Sequence, residues 1–434
     1  MKKKNQDIIT IGFALFAMFF GAGNLLLPPY IGLQVGEHTL ITIIAFGLTG
    51  IILPFLGILS IVKSGNNIYD IGNRIHPWLA PVLGTIIMLC IGPLIAIPRT
   101  GATTYEIGIQ PNFPSFNPIL FAIAFFGVTW MLSISPSKVV DIIGNILTPL
   151  LLILLFLLIL IGVINPVSDF SSTAMSSTEA FNFGFVEGYQ TVDMLASLVF
   201  AGIIISAAQS KGYIKLGDKS TVVISSGIIS SLCLIFIYGG LVYLGATSGI
   251  EDKGIGRSAL LIHIARSTLG DYGMMAIGVC IALACLTTSI ALTTAVGTFF
   301  SELTGGKLGY KLLVTICTIF SAFLSILGVD KIIQFAYPPL AFVYPIAITL
   351  VLYIIVFGSF IKSKAPYLGA LLASTIVAAI GLGNILNLWS AEQIPVYNKL
   401  PFVDIDLGWI VPSIIGFVIG LIIAKTKTKE AQIN

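Results

Sequence analysis

Charge is what this sequence has least of. Asp, Glu, Lys and Arg make up 9% of its 434 residues, against roughly 25% in soluble globular chains. So little charge excludes an ordinary water-soluble fold, and a net charge of +3, dispersed along the chain, excludes a nucleic-acid partner. Only three histidines occur; His38, His76 and His263 fall in predicted loops with no carboxylate cluster beside them, against a proton relay or metal centre. The five cysteines (Cys90, Cys233, Cys280, Cys285, Cys317) lie inside apolar segments, and Cys280 and Cys285 form no CxxC pair, so they read as small packing residues. HExxH, GxSxG and clustered histidines are absent, which argues against an enzyme. Rings of like residues and repeated filter loops are absent too, which argues against a channel.

What the chain has in abundance is apolar sequence, 56% of residues, together with 44 glycines, the composition of helices packed closely in lipid. A span needs about 20 apolar residues. That rule predicts an all-α polytopic protein of about twelve spans, near 7–33, 39–62, 78–98, 117–135, 138–164, 183–207, 221–246, 272–300, 309–328, 331–359, 366–386 and 407–425. The third span has room to run on to about residue 108. The tenth, with Pro338, Pro339 and Pro345, is expected to be kinked or divided. The opening Met1-Lys2-Lys3-Lys4 and apolar run imitate a signal peptide. The run continues past Pro28-Pro29 without a cleavage site, as a retained first span would.

Loop charge orients the bundle. Sixteen Lys and Arg residues, among them Lys63, Arg74, Lys138, Lys211 and Lys362, fall on the side of the N-terminus. Six, namely Arg99, Lys253, Arg257, Arg266, Lys331 and Lys399, fall on the other. The positive-inside rule then puts both termini in the cytoplasm of a bacterial inner membrane. Residues 258–266 have apolar side chains at helical spacing, so a short helix over the outer mouth is expected, either a gate or an ordinary interfacial helix.

Two spans carry signs of interruption. In the first, Gly21 and Gly23 bracket mid-bilayer, Asn24 is polar at that depth, and Pro28-Pro29 suit the first turn of a new half-helix starting near Asn24. A break there leaves carbonyls of Ala17, Phe19 and Phe20, which suit a hard cation, and amides of Ala22, Gly23 and Asn24, which suit a carboxylate. The other reading is a glycine-rich packing face. In the sixth span Gly188-Tyr189-Gln190-Thr191 precedes Asp193, a carboxylate deep in an apolar stretch. Such a group is a functional candidate at a cost of about 2.5 kcal/mol or more, or else a structural partner for Arg99. Matching interruptions five spans apart suggest inverted repeats over about 7–164 and 183–359, with accessory helices over about 366–425. In the eighth span Thr287, Thr294 and Thr298 share one face; their hydroxyls either meet sodium or bond back to their own helix. Arg99 either binds substrate, pairs with Asp193, Glu187 or Glu106, or snorkels.

Taken in order, GAGNLLLPP (21–29), GPLIAIPRT (92–100), GYQTVDMLASLVF (188–200) and QFAYPPLAFVYP (334–345) resemble the bacterial branched-chain amino acid transport system II carriers, a family of sodium-coupled leucine/isoleucine/valine symporters. The resemblance covers nearly the whole chain. More distantly, Gly21-Ala22-Gly23-Asn24 and Leu286-Thr287-Thr288-Ser289-Ile290-Ala291 look like the broken first helix and the eighth helix of the leucine-transporter fold. What the resemblance implies is a sodium ion on the carbonyls of Ala17, Phe20 and Ala284 and the hydroxyls of Thr287 and Thr288. It implies a second on Asn24 and the carbonyl of Phe19, although Leu195 stands where that fold has a threonine. The expected substrate site is then Ala22, Gly23, Asn24, Asp193, Arg99 and Phe200, with a proton as the alternative coupling ion through Asp193. Lipid is the only other partner expected, with no obligate protein partner evident.

Overall fold

The computed structural model describes residues 2–66, 68–134, 148–389 and 394–433. Lys138, the end of the fourth expected span at 135 and the start of the fifth at 138 therefore lie outside the described residues, as does the side chain of Cys280. Every regular element among the described residues is helical. The first pass comprises α1 (Lys2–Phe19) and α2 (Ala22–Val35), and the second α3 (Thr39–Gly47) and α4 (Leu53–Ser64) joined by a π-helical turn. A short α5 (Ile68–Ile75) leads to the third pass, α6 (Leu79–Leu89) and α7 (Ala96–Thr103). Then come α8 (Pro118–Ser133), α9 (Thr148–Ile164), and a divided sixth pass of α10 (Ser177–Glu187) and α11 (Asp193–Ser210). After these run α12 (Leu216–Ala246), α13 (Arg257–Leu303), α14 (Tyr310–Ser325), α15 (Val329–Phe357), α16 (Ala365–Ile385), the single turn α17 (Pro395–Asn398) and α18 (Ile410–Ile433).

By length and composition seven continuous helices suffice to cross a membrane, and four shorter apolar helices accompany them. One of the seven, Gly23–Ser64, contains the second half of the first pass and all of the second. Counted in this way the described residues make twelve passes, as hydropathy predicts. Ile123, Phe323 and Leu372 are among the large apolar side chains left exposed on the outside of the bundle, a surface suited to hydrocarbon and costly in water.

Helix ends follow local chemistry. Asn117 caps α8 by accepting from the amides of Ile119 and Leu120, with Pro118 in the first position, where no donor is needed. Ser176 and Glu179 form a reciprocal capping box that starts α10 six residues before the expected span. The third pass continues to Ile109, through Arg99 and Glu106, with non-helical backbone at Gly92 and Ile95. The tenth pass is not divided. α15 runs through Pro338, Pro339 and Pro345 without a break, because packing against neighbouring helices outweighs the lost backbone bonds. Residues 258–266 are helical, as expected, and form the first part of α13, which turns at Gly270 (φ 69°) into the eighth pass.

Glycine decides the closest helix contact. A Cβ on Gly32 of α2 would lie 2.8 Å from the carbonyl carbon of Val242, and one on Gly245 of α12 would lie 2.6 Å from that of Pro29. Both obstacles are backbone and cannot swing aside. Gly32→Ala is therefore expected to cost about 1–3 kcal/mol through overpacking, read as a lower melting temperature of the purified protein in detergent. An unchanged melting temperature would show that α2 and α12 are not held at this distance.

Ion pairs tie the elements together on both sides. On the N-terminal side Lys211 pairs with Asp7 (3.2 Å) and Lys4 with Asp218 (3.1 Å). On the opposite side Arg257, at the start of α13, pairs with Asp330 of α15 (3.1 Å), approaches Glu187 of α10 (3.9 Å) and stacks 4.1 Å from the ring centre of Tyr30 in α2.

Candidate substrate and ion site

The first break falls at Phe20–Gly21. α1 ends at Phe19, Phe20 N–H still bonds to Phe16 O (2.7 Å), and Gly21 is extended (φ −108°, ψ −167°). α2 begins at Ala22, two residues earlier than the sequence suggests, so Pro28 and Pro29 sit in its second turn rather than its first. There their missing N–H groups release the carbonyls of Asn24 and Leu25 from the helix ladder. The amides of Ala22, Gly23 and Asn24 occupy the first turn, where no intrahelical acceptor exists.

The second break separates α10 from α11. A 3₁₀ turn over Gly188–Thr191 leads to Val192, held left-handed at φ 67° and ψ 3°. A β-branched residue in that conformation stores about 1–3 kcal/mol of strain, which persists only where surrounding structure enforces it. The twist directs Asp193 into the protein as the first residue of α11, its own amide donating to Thr191 Oγ1 (3.3 Å).

The two breaks meet. Asn24 Nδ2 donates to Phe19 O (2.8 Å) and to Asp193 Oδ2 (2.5 Å), and also contacts Tyr238 Oη. Tyr238 Oη in turn donates to Asp193 Oδ2 (3.2 Å). All three polar side chains are at least 97% buried, so their mutual bonds are what makes their burial tolerable. Phe19 O also accepts from Gly21 N–H (2.8 Å), which occupies both its lone pairs. The Phe19 carbonyl and the Asn24 amide nitrogen thus satisfy each other and Asp193 here, and the buried Leu195 side chain adds no oxygen.

Arg99 neither snorkels nor pairs. It is 2% exposed, and among the described residues no carboxylate lies within ion-pair distance of it. Glu187 is taken by Arg257, and Glu106 accepts from Ser258 Oγ (2.5 Å) and Val329 N–H (2.9 Å). Arg99 Nη1 donates instead to Gln190 O in the unwound turn (2.8 Å), and its Nε has no partner. The guanidinium lies against Gly23: a Cβ there would come 2.6 Å from its Cζ. Arg99 therefore bridges both breaks from the third pass.

These groups surround a cavity of about 30 Å³, lined by Asn24, Arg99 and Asp193 on its polar side and by Ile91, Phe200 and Leu292 on its apolar side. That volume holds one or two waters, so any larger substrate must displace Arg99 or the aromatic wall, where Phe19 and Phe200 rings stand 5.6 Å apart. Thr288 and Gly21 also line it. Thr288 Oγ1 points at Ala17 O (3.5 Å), linking α13 to the end of α1, while Thr287 Oγ1 donates to Ala284 O (2.8 Å). Thr298 bonds back to its own helix at Thr294 O, whereas Thr294 Oγ1 is buried without a partner. No group of three or more His, Cys, Asp or Glu gathers among the described residues; the oxygens between α1 and α13 are carbonyls and hydroxyls, ligands suited to a hard cation.

Sequence reading missed Tyr238, Gln190 and Thr191. Tyr238 carried a legible signal, a hydroxyl in mid-span directly before Gly239-Gly240; the role of the Gln190 carbonyl carried none, since every residue has one.

Comparison with known proteins agrees with this architecture. Residues 4–427 match the family model described as branched-chain amino acid transport protein. The chain is 36% identical to the branched-chain amino acid permease BraB of Bacillus subtilis, over 99% of this chain and 98% of that protein. It is 35% identical to the permease BrnQ of the same organism, over 98% of each. Among solved structures, the inward-facing conformation of Mhp1 superposes with a TM-score of 0.62 at 13% identity, covering 96% of this chain and 91% of that one. A substrate-bound, outward-open Na⁺-coupled sialic acid symporter superposes with a TM-score of 0.61, also at 13% identity, covering 96% and 90%.

Proposed function

The chain belongs to the branched-chain amino acid transport protein family, and from that premise we propose that it is a sodium-coupled symporter importing leucine, isoleucine and valine across the cytoplasmic membrane by alternating access. The convergence of two broken helices on one half-apolar cavity carries this reading. The substrate carboxylate rests on the free amides of Ala22, Gly23 and Asn24 at the N-terminus of α2, with Arg99 as a second cationic contact. The ammonium meets Asp193, and the branched side chain displaces Phe200 towards the apolar wall of Ile91 and Leu292. Both termini are cytoplasmic, and residues 7–164 and 183–359 form inverted repeats.

Sodium occupies the junction of α1 and α13, on the carbonyls of Ala17, Phe20 and Ala284 and the hydroxyls of Thr287 and Thr288. Its binding energy favours the state in which the two elements are drawn together, which couples ion to substrate. The 3.5 Å separation of Thr288 Oγ1 and Ala17 O supports this position, and so does the Na⁺ coupling named for a protein of the same fold. Thr288→Ala should raise the sodium concentration for half-maximal leucine uptake at least about tenfold, equivalent to about 1.4 kcal/mol. Unaltered sodium dependence would remove the ion from this position. The competing reading, proton coupling, draws support from the buried Asp193 carboxylate. Proteoliposomes with separately imposed sodium and proton gradients decide between them: uptake driven by a proton gradient alone overturns sodium coupling.

A further inference from the structure

A second cavity, of about 180 Å³ and several times the size of the central one, lies on the side that loop charge assigns to the outside. α15 and α16 wall it with Leu340 and Val377, the segment before α18 closes it with Asp406 and Trp409, and Tyr189 and Gln190 of the unwound turn form its inner end. Its polar groups are unusually short of partners. Tyr189 Oη, Gln190 Oε1 and Trp409 Nε1 are buried with no hydrogen-bond partner, although each residue is at least 93% buried. Leaving a buried polar group unpaired is costly, so these three, with Asn384 Oδ1 a fourth along the same cavity, point to a ligand that supplies the missing bonds.

The ligand's chemistry follows from the lining. Among the described residues no Lys, Arg or His lines the cavity, while Asp406 does, held by one hydrogen bond from Tyr337 Oη (3.0 Å). Burial pushes the Asp406 carboxyl up from its usual range, offset in part by the Tyr337 hydroxyl; a ligand cation beside it would relieve that cost. The indole N–H of Trp409 and the hydroxyl of Tyr189 are donors for an anionic group, and Leu340 and Val377 offer an apolar wall. A small zwitterion with an apolar side chain meets all three requirements. The inner end adjoins the central site directly, because the backbone carbonyl of Gln190 is the acceptor that holds Arg99.

We propose that this cavity is a second, outer binding site for a neutral apolar α-amino acid, loaded before the central site. The inference rests on the reading above, that the central cavity carries a branched-chain amino acid. Equilibrium binding of radiolabelled leucine to the purified full-length protein in sodium-containing detergent tests it. Wild type should bind two leucines per chain. Asp406→Asn and Trp409→Phe should each bind one, with unchanged melting temperature, and Asp193→Asn should also bind one. Tyr337→Phe, which removes only a hydroxyl, should weaken one of the two sites at least fivefold. One leucine in the wild type, lost in Asp193→Asn and kept in Asp406→Asn and Trp409→Phe, overturns the outer site and leaves the central reading intact. Loss in Asp406→Asn but none in Asp193→Asn overturns the central reading instead, and no binding by the wild type overturns both.

Discussion

Asp193→Asn should cut branched-chain amino acid uptake at least a hundredfold while leaving the protein inserted and monodisperse. The carboxylate accepts from Asn24 and Tyr238 at the point where both helix breaks meet, and hydrogen bonds to a charged group are worth about 1.5–3 kcal/mol each. Asparagine is nearly isosteric, so the packing of α11 survives. It nevertheless removes the negative charge that, in the proposed mechanism, meets the substrate ammonium. Arg99 lines the same cavity, and without Asp193 its buried charge has less to offset it. Because no ion pair joins the two directly, the loss should appear mainly in substrate binding, as a large rise in leucine Kd. Retention of a third or more of wild-type uptake would show that Asp193 is structural and the ammonium is held elsewhere.

The second large effect is expected from the smallest possible change, Gly23→Ala. The added methyl takes the place of the Arg99 guanidinium. That group is the end of a flexible side chain, so the fold can adjust, unlike at Gly32, where the obstacle is backbone. Adjustment means breaking the bond from Nη1 to Gln190 O and moving a charge within a cavity of about 30 Å³. We expect a ten- to hundredfold loss of uptake, about 1.4–2.8 kcal/mol, with little change in melting temperature. A double-mutant cycle identifies the cause. In an Arg99→Met background Gly23→Ala should cost far less, since the displaced group is already gone. An equal cost in both backgrounds would mean that the methyl acts on the amides of α2 alone.

Both predictions depend on contacts between residues distant in the chain, and this is where the sequence stops being informative. Gly21, Gly23 and Asn24, and Gly188 followed by Asp193, marked the two interruptions because a glycine or a charge at mid-bilayer is costly unless the helix breaks there or the group finds a partner. Conversely, three prolines suggested a kinked or divided tenth pass, and α15 is not divided. A proline weakens a helix locally, and only the packing around it decides whether the helix survives. Thr287 and Thr298 illustrate the same limit: their common face and the option of bonding back to their own helix were legible, but only the structure shows both hydroxyls on helix carbonyls.

By itself, then, the sequence determined the solvent, the number of passes, the sites of helix interruption and the distribution of loop charge. Each follows from the local cost of placing a polar or apolar residue at a given depth in hydrocarbon. Only the tertiary structure decided that Tyr238 joins Asn24 and Asp193, that Arg99 lies against Gly23 on the carbonyl of Gln190, and that unpaired polar groups line a second cavity. Those contacts link residues up to 214 positions apart, and they are set by how whole helices pack, which no local preference encodes.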